Sequence, residues 1–597
     1  MTFTPAASFT TRPTLRGTFG MSASTHWTAT ATAQAVLERG GTAFDAAAAA
    51  AFVLHIVEPH LNGPGGDLVA LVRPGGATEP TVLMGQGPAP AGASIAHFRA
   101  RGLDLVPGAG GLAATVPGGI DAWLLLLRDH GTWELADVLA FAVGYARDGH
   151  PLVAGAAATI ARVADLFREH WPSSAQQWMP AGSPPAPDTL VRNPAWADVL
   201  DSLVEAGTGA PDRASRIEAA RERWMTEVLP EAAAFARRPH RHSDGAEHPG
   251  ILDTADLSWR AGYEAAVSTS FRGWRVFKAG AWSQGPAMLH TLRLLDDADD
   301  DRLDPASPEG AHRLLEAQKL AYADRDAWFG DGWAADTGEA FDVETLLADA
   351  YVAARRELIG PAASADLRPG SPDGREPVIP PLRTEGRAAE GSTGEPTVDR
   401  SGRTRGDTCH LDVIDRWGNV VSATPSGGWL QSSPTVPSLG FCLGTRLQMT
   451  WLVPGHPASL VPGRRPRTTL TPTMLTRGDE VTAIGSPGGD QQDQWQVPVL
   501  LRILVGGYSP QQAIDAPTLH TTALADSFWP RTWSPAGAVV EDRLGDDVIS
   551  ALEARGHRVR RAGDWTLGRV SAVGRDADGL LWAAANPRGA QGYAAGR

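Results

Sequence analysis

The sequence predicts a fold that mixes α-helices with paired β-strands. Two alanine-rich stretches indicate helices: Thr28–Glu38 ends at a Gly-Gly pair, and Asp45 opens the second. Glycine commonly ends a helix because it tolerates the left-handed conformation. A continuous apolar run predicts a buried strand at Leu68–Val72, and alternating residues predict a hairpin at 409–423 with its turn at Asp415–Asn419.

The same alternation of helix and strand continues along the chain. Apolar residues at helical or strand spacing predict helices at Leu124–His130, Leu135–Asp148, Arg313–Phe329 and Trp495–Leu504, and a strand at Val481–Ile484. The stretch from Leu152 to about Leu252 is polar and irregular, with helical patches only.

Composition excludes several classes of protein. The 597 residues are 43% hydrophobic and 20% charged, as in an ordinary globular enzyme. A net charge of −15 argues against nucleic acid as a partner, which requires a basic surface. Two cysteines cannot build a disulfide framework. Because we find neither a signal peptide nor an apolar run of membrane-spanning length, we expect a cytoplasmic protein without a membrane partner.

The clearest break in composition lies between about 360 and 406. Gly, Pro, Ser and charged residues dominate there, with almost nothing apolar. Long segments of this kind are linkers, disordered regions or processing sites. An interdomain linker is one interpretation, but strand-like sequence begins abruptly afterwards, which favours a processing segment.

Several separate strings resemble the γ-glutamyltransferase family. That family's small subunit begins with Thr-Thr-His or a close variant at the start of a strand, and this chain has Thr408-Cys409-His410 after Asp407. The family's Gly-Ser-Pro-Gly-Gly loop is intact at 485–489. Similar strings occur in the same order at Gly40–Ala47, Glu58–His60 with the turn Gly63–Gly66, and Arg465–Thr473.

This resemblance implies a fold and a maturation step. The implied fold is α+β, the four-layer αββα sandwich of N-terminal-nucleophile hydrolases. Self-cleavage between Asp407 and Thr408 would divide the chain into a large part, 1–407, and a small part, 408–597, which stay associated. The implied partners are a small-molecule amide and a water or amine acceptor, and neither a cofactor nor a metal is implied.

The chemistry of Thr408 agrees with the resemblance. A threonine hydroxyl is a weak nucleophile and needs an adjacent base. Cleavage before Thr408 would expose an α-amino group whose ordinary pKa is about 7.7–8.0, which suits a general base. A single cut would therefore create nucleophile and base together. Taken alone, Thr408 would be an ordinary β-forming residue at the start of a strand.

Three further residues have catalytic roles by resemblance. Gly488 and Gly489 correspond to the family's oxyanion hole, where backbone N–H groups stabilise developing charge. Ser426 stands where the family has a second threonine that supports the nucleophile. Each of these positions could instead belong to an ordinary tight turn.

Other residues offer rival chemistry. Cys409 would be the better nucleophile if the cut fell one residue later, but a buried strand residue is the favoured interpretation. His410 could be the base of a triad, yet strand alternation places it on the face opposite Cys409. His240 and His242 could suggest a metal, but their spacing is unspecific, so a solvated loop is favoured.

The substrate-binding strings depart from the family pattern. Where the family has an arginine for the donor carboxylate, this chain has Gln86, and an acidic partner for the donor amine has become Trp451 beside Gln448. A neutral amide cannot replace the charged fork of arginine. By the same resemblance, Thr468 and Thr469 replace two serines that help hold the donor carboxylate, which is a milder change.

These departures leave three hypotheses for function. The first is an amidohydrolase or acyltransferase that works through an acyl-Thr408 intermediate, with donor specificity shifted from ordinary γ-glutamyl compounds. The second is a genuine γ-glutamyltransferase or glutathione hydrolase. The third, from another class, is an unprocessed binding protein without catalysis. We note that Arg446 or Arg467 could supply the missing cation.

Overall fold

Two antiparallel sheets are stacked at the centre of the protein. The computed structural model describes residues 3–332, 341–384 and 408–597. In these ranges the first sheet contains, in spatial order, Leu15–Gly17, Leu581–Ala585, Ser571–Arg575, Glu480–Gly485, Thr473–Arg477, Trp274–Lys278 and Val267–Phe271. The second contains Tyr593–Gly596, Gly20–Ser24, Leu411–Asp415, Val420–Ser426, Asp67–Arg73, Thr81–Gly85 and Gly262–Ala265.

Helices pack against the outer face of each sheet. The second sheet is covered by Trp27–Glu38, Ala43–Val57, Gly119–His130, Leu135–Asp148, Pro194–Ala206, Arg213–Arg223 and Leu229–Ala236. The first is covered by Gly285–Leu295, Pro308–Trp328, Gln492–Leu504, Pro510–Asp515 and Asp546–Ala554. The order helices, sheet, sheet, helices confirms the predicted αββα sandwich.

Smaller elements surround these layers. Short helices lie at Ile95–Arg99, Ala154–Arg162, Ala164–Glu169, Pro172–Trp178, Glu344–Leu347 and Asp349–Arg356. Additional strand pairings join Leu519–Thr521, Gly537–Val540 and Arg558–Arg561, then His150–Pro151 with Leu190–Val191, and His240–Arg241 with Glu247–His248. No helix within the described ranges is long and apolar enough to span a membrane.

The alanine-rich helix Ala43–Val57 shows how local sequence sets the structure. The Thr42 hydroxyl accepts a hydrogen bond from Asp45 N, and the Asp45 carboxylate accepts one from Thr42 N at 2.9 Å. This reciprocal capping satisfies backbone donors that the first turn leaves free. Every residue of the helix is buried, since alanine side chains let neighbouring elements approach closely.

The strands after residue 408 have two different faces. Ile414 and Val420 belong to the apolar core between the sheets. The alternate residues belong to the core between this second sheet and the helices that cover it: Cys409, Leu411, Val413, Val421 and Ala423. Because side chains alternate along a strand, even-numbered residues here face the opposite sheet.

The described part of the predicted polar segment is held on a helix rather than being structureless. Gly370 N donates to Asp324 Oδ1 at 2.6 Å, and Lys319 Nζ donates to the Ser364 carbonyl at 3.1 Å. These polar side chains come from the buried helix Pro308–Trp328. The role of the segment in processing stays a prediction. Its remainder, with the cleavage position Asp407, lies outside the described residues.

The prediction of a solvated loop around His240 and His242 was wrong for His242, whereas His240 is half-buried. His242 is buried, its Nε2 accepts from Leu112 N at 3.0 Å, and its Nδ1 lies 2.8 Å from the His240 carbonyl oxygen. The ring holds two distant segments together. Burial lowers its pKa to about 4, which keeps it neutral near pH 7.

Candidate active site

Thr408 lies three residues before the central strand Leu411–Asp415, against the end of the neighbouring strand Val420–Ser426. Its Oγ1 is 3.1 Å from Ser426 Oγ, and both side chains are buried. The backbone of Thr408 pairs with that of Ser426, and Cys409 N donates to the Pro425 carbonyl at 3.1 Å. The two hydroxyls are therefore held side by side by the register of the hairpin.

The neighbouring cysteine points the other way. Cys409 Sγ donates to Glu58 Oε2 at 3.2 Å, on the side of the helical layer. Burial raises the pKa of Glu58, while hydrogen bonds from Thr25 and Cys409 oppose that rise. Cys409 is fully buried and forms no disulfide, so the structure places it as a packing residue.

A ladder of polar side chains continues from Thr408 along the inter-sheet face. His410 Nδ1 lies 3.1 Å from Thr424 Oγ1, and its Nε2 lies 2.8 Å from Asp412 Oδ2. Ser422 Oγ donates to the other oxygen of Asp412 at 2.6 Å. All four side chains are fully buried. Each of these hydrogen bonds therefore pairs polar groups that would destabilise the fold if they were buried without a partner.

The glycine loop at 485–489 begins directly over this ladder. A side-chain carbon added to Gly485 would come within 2.1 Å of His410 Cε1, so only glycine fits there. The loop therefore lies at the same end of the sandwich as Thr408. Gly488 has a φ of +118°, a conformation that favours glycine.

The loop leaves backbone donors available. The Gly488 carbonyl accepts from Gln492 Nε2, and the Gly489 carbonyl accepts from Gln284 Nε2 at 3.2 Å. Neither N–H group of Gly488 and Gly489 donates to a residue in the described part of the chain. Two adjacent free donors at a glycine turn are suited to hold an oxyanion.

Asp490 anchors the end of this loop, a role that the sequence did not suggest. It pairs with Arg325 and accepts from Ser527 N at 2.8 Å and Ser527 Oγ at 2.5 Å. Burial would raise the pKa of Asp490, but the charges of Arg325 and Arg467 lower it. Its position directly after the two glycines is the sequence signal that could have identified it.

The predicted substrate-binding residues differ in how far the protein already uses them. Gln448 is engaged, because its amide contacts the Gly108 carbonyl at 3.2 Å and Thr445 Oγ1 at 3.0 Å, and it accepts from Trp529 N at 3.2 Å. Trp451 carries the guanidinium of Arg531 on its ring face, 3.4 Å from the centroid.

The other predicted positions keep free polar atoms. Gln86 is fully buried, and neither atom of its amide has a partner among the described residues. The hydroxyl of Thr469 is likewise buried without a partner, whereas Thr468 Oγ1 accepts from Leu470 N at 3.3 Å. Their roles in substrate binding stay predictions.

One group of side chains has the residue types of a metal site. His312, Glu316 and His557 bring their ligand atoms within 4.8 Å of one another. However, His312 Nδ1 is hydrogen-bonded to His557 Nε2 at 2.9 Å, and Glu316 is paired with Lys319 at 2.7 Å. These contacts occupy the ligand atoms, so the group packs the C-terminal region against helix Pro308–Trp328.

Comparisons with known proteins cover nearly the whole chain. A solved structure titled "Structure of LmbA2991HD" superposes with a TM-score of 0.92 at 52% identity, covering 99% of this chain and 100% of the other. The glutathione hydrolase-like YwrD proenzyme of Bacillus subtilis is 30% identical, over 96% of this chain and 98% of that protein. The oxamate amidohydrolase proenzyme of Klebsiella pneumoniae is 29% identical, over 97% and 98%.

The family model described as gamma-glutamyltranspeptidase matches residues 29–596. That match includes the Thr408 hairpin, the glycine loop and every strand of both sheets except Leu15–Gly17 and Gly20–Ser24. The protein is therefore an enzyme of the gamma-glutamyltranspeptidase family, a self-processing amidohydrolase with the N-terminal-nucleophile fold.

Proposed function

We propose that Thr408 cleaves the chain before itself and then serves as the nucleophile of an amide-cleaving enzyme. The observation that carries this proposal is the 3.1 Å contact between the hydroxyls of Thr408 and Ser426 at the sheet end that bears the free N–H groups of Gly488 and Gly489. In this proposal Thr408 is the nucleophile, Ser426 the supporting hydroxyl, and the glycine loop the oxyanion site.

Maturation follows from the same hydroxyl. Thr408 Oγ attacks the carbonyl carbon of Asp407, the peptide C–N bond breaks, and the released nitrogen takes the hydroxyl proton. Water then hydrolyses the resulting ester, which leaves a carboxylate on Asp407 and restores the hydroxyl of Thr408. The new α-amino group is the base that later turnover requires.

Turnover uses two acyl transfers. Thr408 Oγ attacks the amide carbonyl of the donor, while its α-amino group accepts the hydroxyl proton and passes it to the leaving amine. The N–H groups of Gly488 and Gly489 hold the oxyanion, and Ser426 orients the nucleophile. Water or an amine then releases the acyl group.

We further propose that the donor is not an ordinary γ-glutamyl compound. Gln86 supplies no charge for the donor carboxylate, and the ring face of Trp451 is already covered by Arg531. A zwitterionic head group would therefore lose hydration without gaining its usual ion pairs. The relative named oxamate amidohydrolase supports a different donor within the family.

The cytoplasmic location stays a prediction, testable by cell fractionation.

Two matched variants test the nucleophile. We expect the purified wild-type protein to contain two fragments, the smaller beginning Thr-Cys-His-Leu, by N-terminal sequencing and intact mass. Thr408→Ala should remain one chain and be inactive, whereas Cys409→Ala, one residue away on the other strand face, should still process. Cleavage of Thr408→Ala, or a fragment beginning at Cys409, would contradict the assignment.

Turnover of different substrates distinguishes the three functional hypotheses. A γ-glutamyl anilide and simple acyl anilides should be compared on the processed enzyme, with the acyl mass on the small fragment measured after quenching. Fast turnover of the γ-glutamyl anilide at micromolar KM would favour a genuine γ-glutamyltransferase. A single uncut wild-type chain without acyl transfer would favour the binding protein.

A further inference from the structure

Two consecutive carbonyl groups of the glycine loop are held by buried side chains. Ser486 Oγ donates to the Pro487 carbonyl oxygen at 2.6 Å. Gln492 Nε2 donates to the carbonyl oxygen of Gly488. Both side chains are almost completely buried, so bulk water does not compete for either contact. The two peptide groups that contain these carbonyls are therefore fixed in orientation.

The fixed carbonyls set the direction of the two candidate oxyanion donors. A trans peptide is planar, and its N–H points away from its own C=O. The Pro487 carbonyl shares a peptide with the N–H of Gly488, and the Gly488 carbonyl shares one with the N–H of Gly489. Ser486 thus orients the first N–H, and Gln492 orients the second. Neither N–H has a partner in the described ranges.

Both side chains act from the helical side of the first sheet. Gln492 begins helix Gln492–Leu504, which covers the outer face of that sheet. Ile484 faces the same helices, and strand alternation places Ser486, two residues later, on the same side. The carbonyls point toward the helices, so the N–H groups point toward the second sheet, where Thr408 pairs with a strand end.

The glutamine makes this contact at a cost to stability. Gln492 is fully buried, and its Oε1 has no partner among the described residues. A buried amide oxygen without a hydrogen bond destabilises the fold, and such groups call for an explanation. Departures of this kind concentrate at functional sites. The contact with the Gly488 carbonyl therefore has a role beyond packing.

We propose that Ser486 and Gln492 are positioning residues for the oxyanion site. They keep the N–H groups of Gly488 and Gly489 pointing to one place, where the donor carbonyl oxygen gains negative charge during attack by Thr408 Oγ. Neither side chain contacts the donor itself. This inference rests on the proposed acyl-Thr408 mechanism and adds two residues to it.

The first test separates orientation from stability. Gln492→Met removes the amide but keeps an unbranched chain of similar length. Gln496→Met is the matched control, because Gln496 is equally buried one turn further along the same helix and donates to the carbonyls of Thr471 and Gln492 instead of the loop. Urea unfolding of both variants measures the loss of stability that each substitution causes.

Single-turnover acylation by an acyl anilide is then measured per active site, counted as the small fragment that can gain acyl mass. Gln492→Met should slow acylation at saturating donor by roughly 10- to 100-fold, somewhat less than the loss of an oxyanion donor outright. Its donor Kd should change by less than about threefold, because the oxyanion exists only in the transition state. Gln496→Met should acylate within about threefold of the wild type.

An alkylboronic acid gives a second readout. Thr408 Oγ adds to the trigonal boron while the hydroxyl proton passes to the α-amino group, and the tetrahedral adduct places an oxygen where the oxyanion would form. The boronate Kd should weaken by the same factor as acylation slows. Ser486→Ala should show both losses, and Ser486→Thr, which keeps the hydroxyl, should recover most of them. A structural role alone would lower only the free energy of unfolding.

The outcomes separate this inference from the mechanism. If Gln492→Met acylates as fast as Gln496→Met, or if the boronate Kd does not follow acylation, the positioning role is overturned and acyl transfer stands. Failure of the wild type to gain acyl mass would overturn the mechanism itself. If Gln492→Met does not mature, the same two measurements on Ser486→Ala and Ser486→Thr decide, and equal values for that pair would overturn the inference.

Discussion

Removing the Ser426 hydroxyl should slow the enzyme without unfolding it. In Ser426→Ala, Thr408 Oγ1 loses the hydroxyl 3.1 Å away, and both groups are buried. A buried polar group left without its partner costs about 1–3 kcal/mol. If the loss falls on the transition state, acylation slows by roughly 5- to 140-fold at about 1.4 kcal/mol per factor of ten.

Two further variants give this prediction its controls. Ser426→Thr restores a hydroxyl, and should acylate within about threefold of the wild type. Ser422→Ala removes a hydroxyl from the same face of the same strand, where Ser422 Oγ donates to Asp412 Oδ1 at 2.6 Å. It should lower the free energy of unfolding but leave acylation nearly unchanged.

The assay is a single-turnover measurement of acyl-enzyme. Processed enzyme in excess is mixed with an acyl anilide and quenched at intervals, and the mass of the small fragment is followed. The half-time of self-cleavage provides a second readout for the same contact. The reasoning is refuted if Ser426→Ala acylates as fast as Ser422→Ala, since the contact would then be structural only.

Three other predictions concern stability and the glycine loop. Burial lowers the pKa of six histidines to about 3: His26, His55, His60, His290, His456 and His520. Between pH 6.5 and 3 the unfolded chain therefore binds more protons than the folded chain, so the free energy of unfolding falls as pH falls, by about 2 kcal/mol per histidine at pH 5. Urea unfolding measures this loss, and equal stability at pH 5 and pH 7.5 would contradict it. His55→Phe should reduce that acid-induced loss by about 2 kcal/mol, because burial is the sole cause of its shift, and an unchanged pH dependence would argue against it. Asp490→Asn should reduce kcat more than it raises KM, because Arg325 and Ser527 lose the charge that anchors the oxyanion loop, and an unaltered kcat would show that the loop needs no such anchor.

The pairing of Thr408 with Ser426 and the glycine loop could be predicted because they depend on short stretches of chain. Thr408 and Ser426 are joined by one hairpin, and their pairing follows from its register. The loop at 485–489 contains adjacent glycines, whose conformational freedom is visible in the sequence. Helix boundaries were less exact: Arg313–Phe329 was predicted, but the helix begins at Pro308, capped by Ser307.

The contacts of the predicted substrate-binding residues could not be predicted in the same way, because they join distant segments. The amide of Gln448 is used by Gly108, which lies 340 residues away, and by Trp529, which lies 81 residues away. The ring of Trp451 is covered by Arg531, and no motif links those two positions. A string that matches or departs from a family pattern identifies a side chain but not what the folded chain leaves it free to bind.

The two-residue period of the strand explains why Thr408 and Cys409 have different surroundings. Thr408, His410 and Asp412 face the other sheet and form a polar ladder, while Cys409 faces the helices and contacts Glu58. A register shift of one residue would exchange these faces and bring the thiol toward the glycine loop. The register is held by Ile414 and Val420 in the core between the sheets, and by Leu411 and Val413 beneath the helices. The position of the candidate nucleophile Thr408 is therefore determined by apolar residues of the two cores.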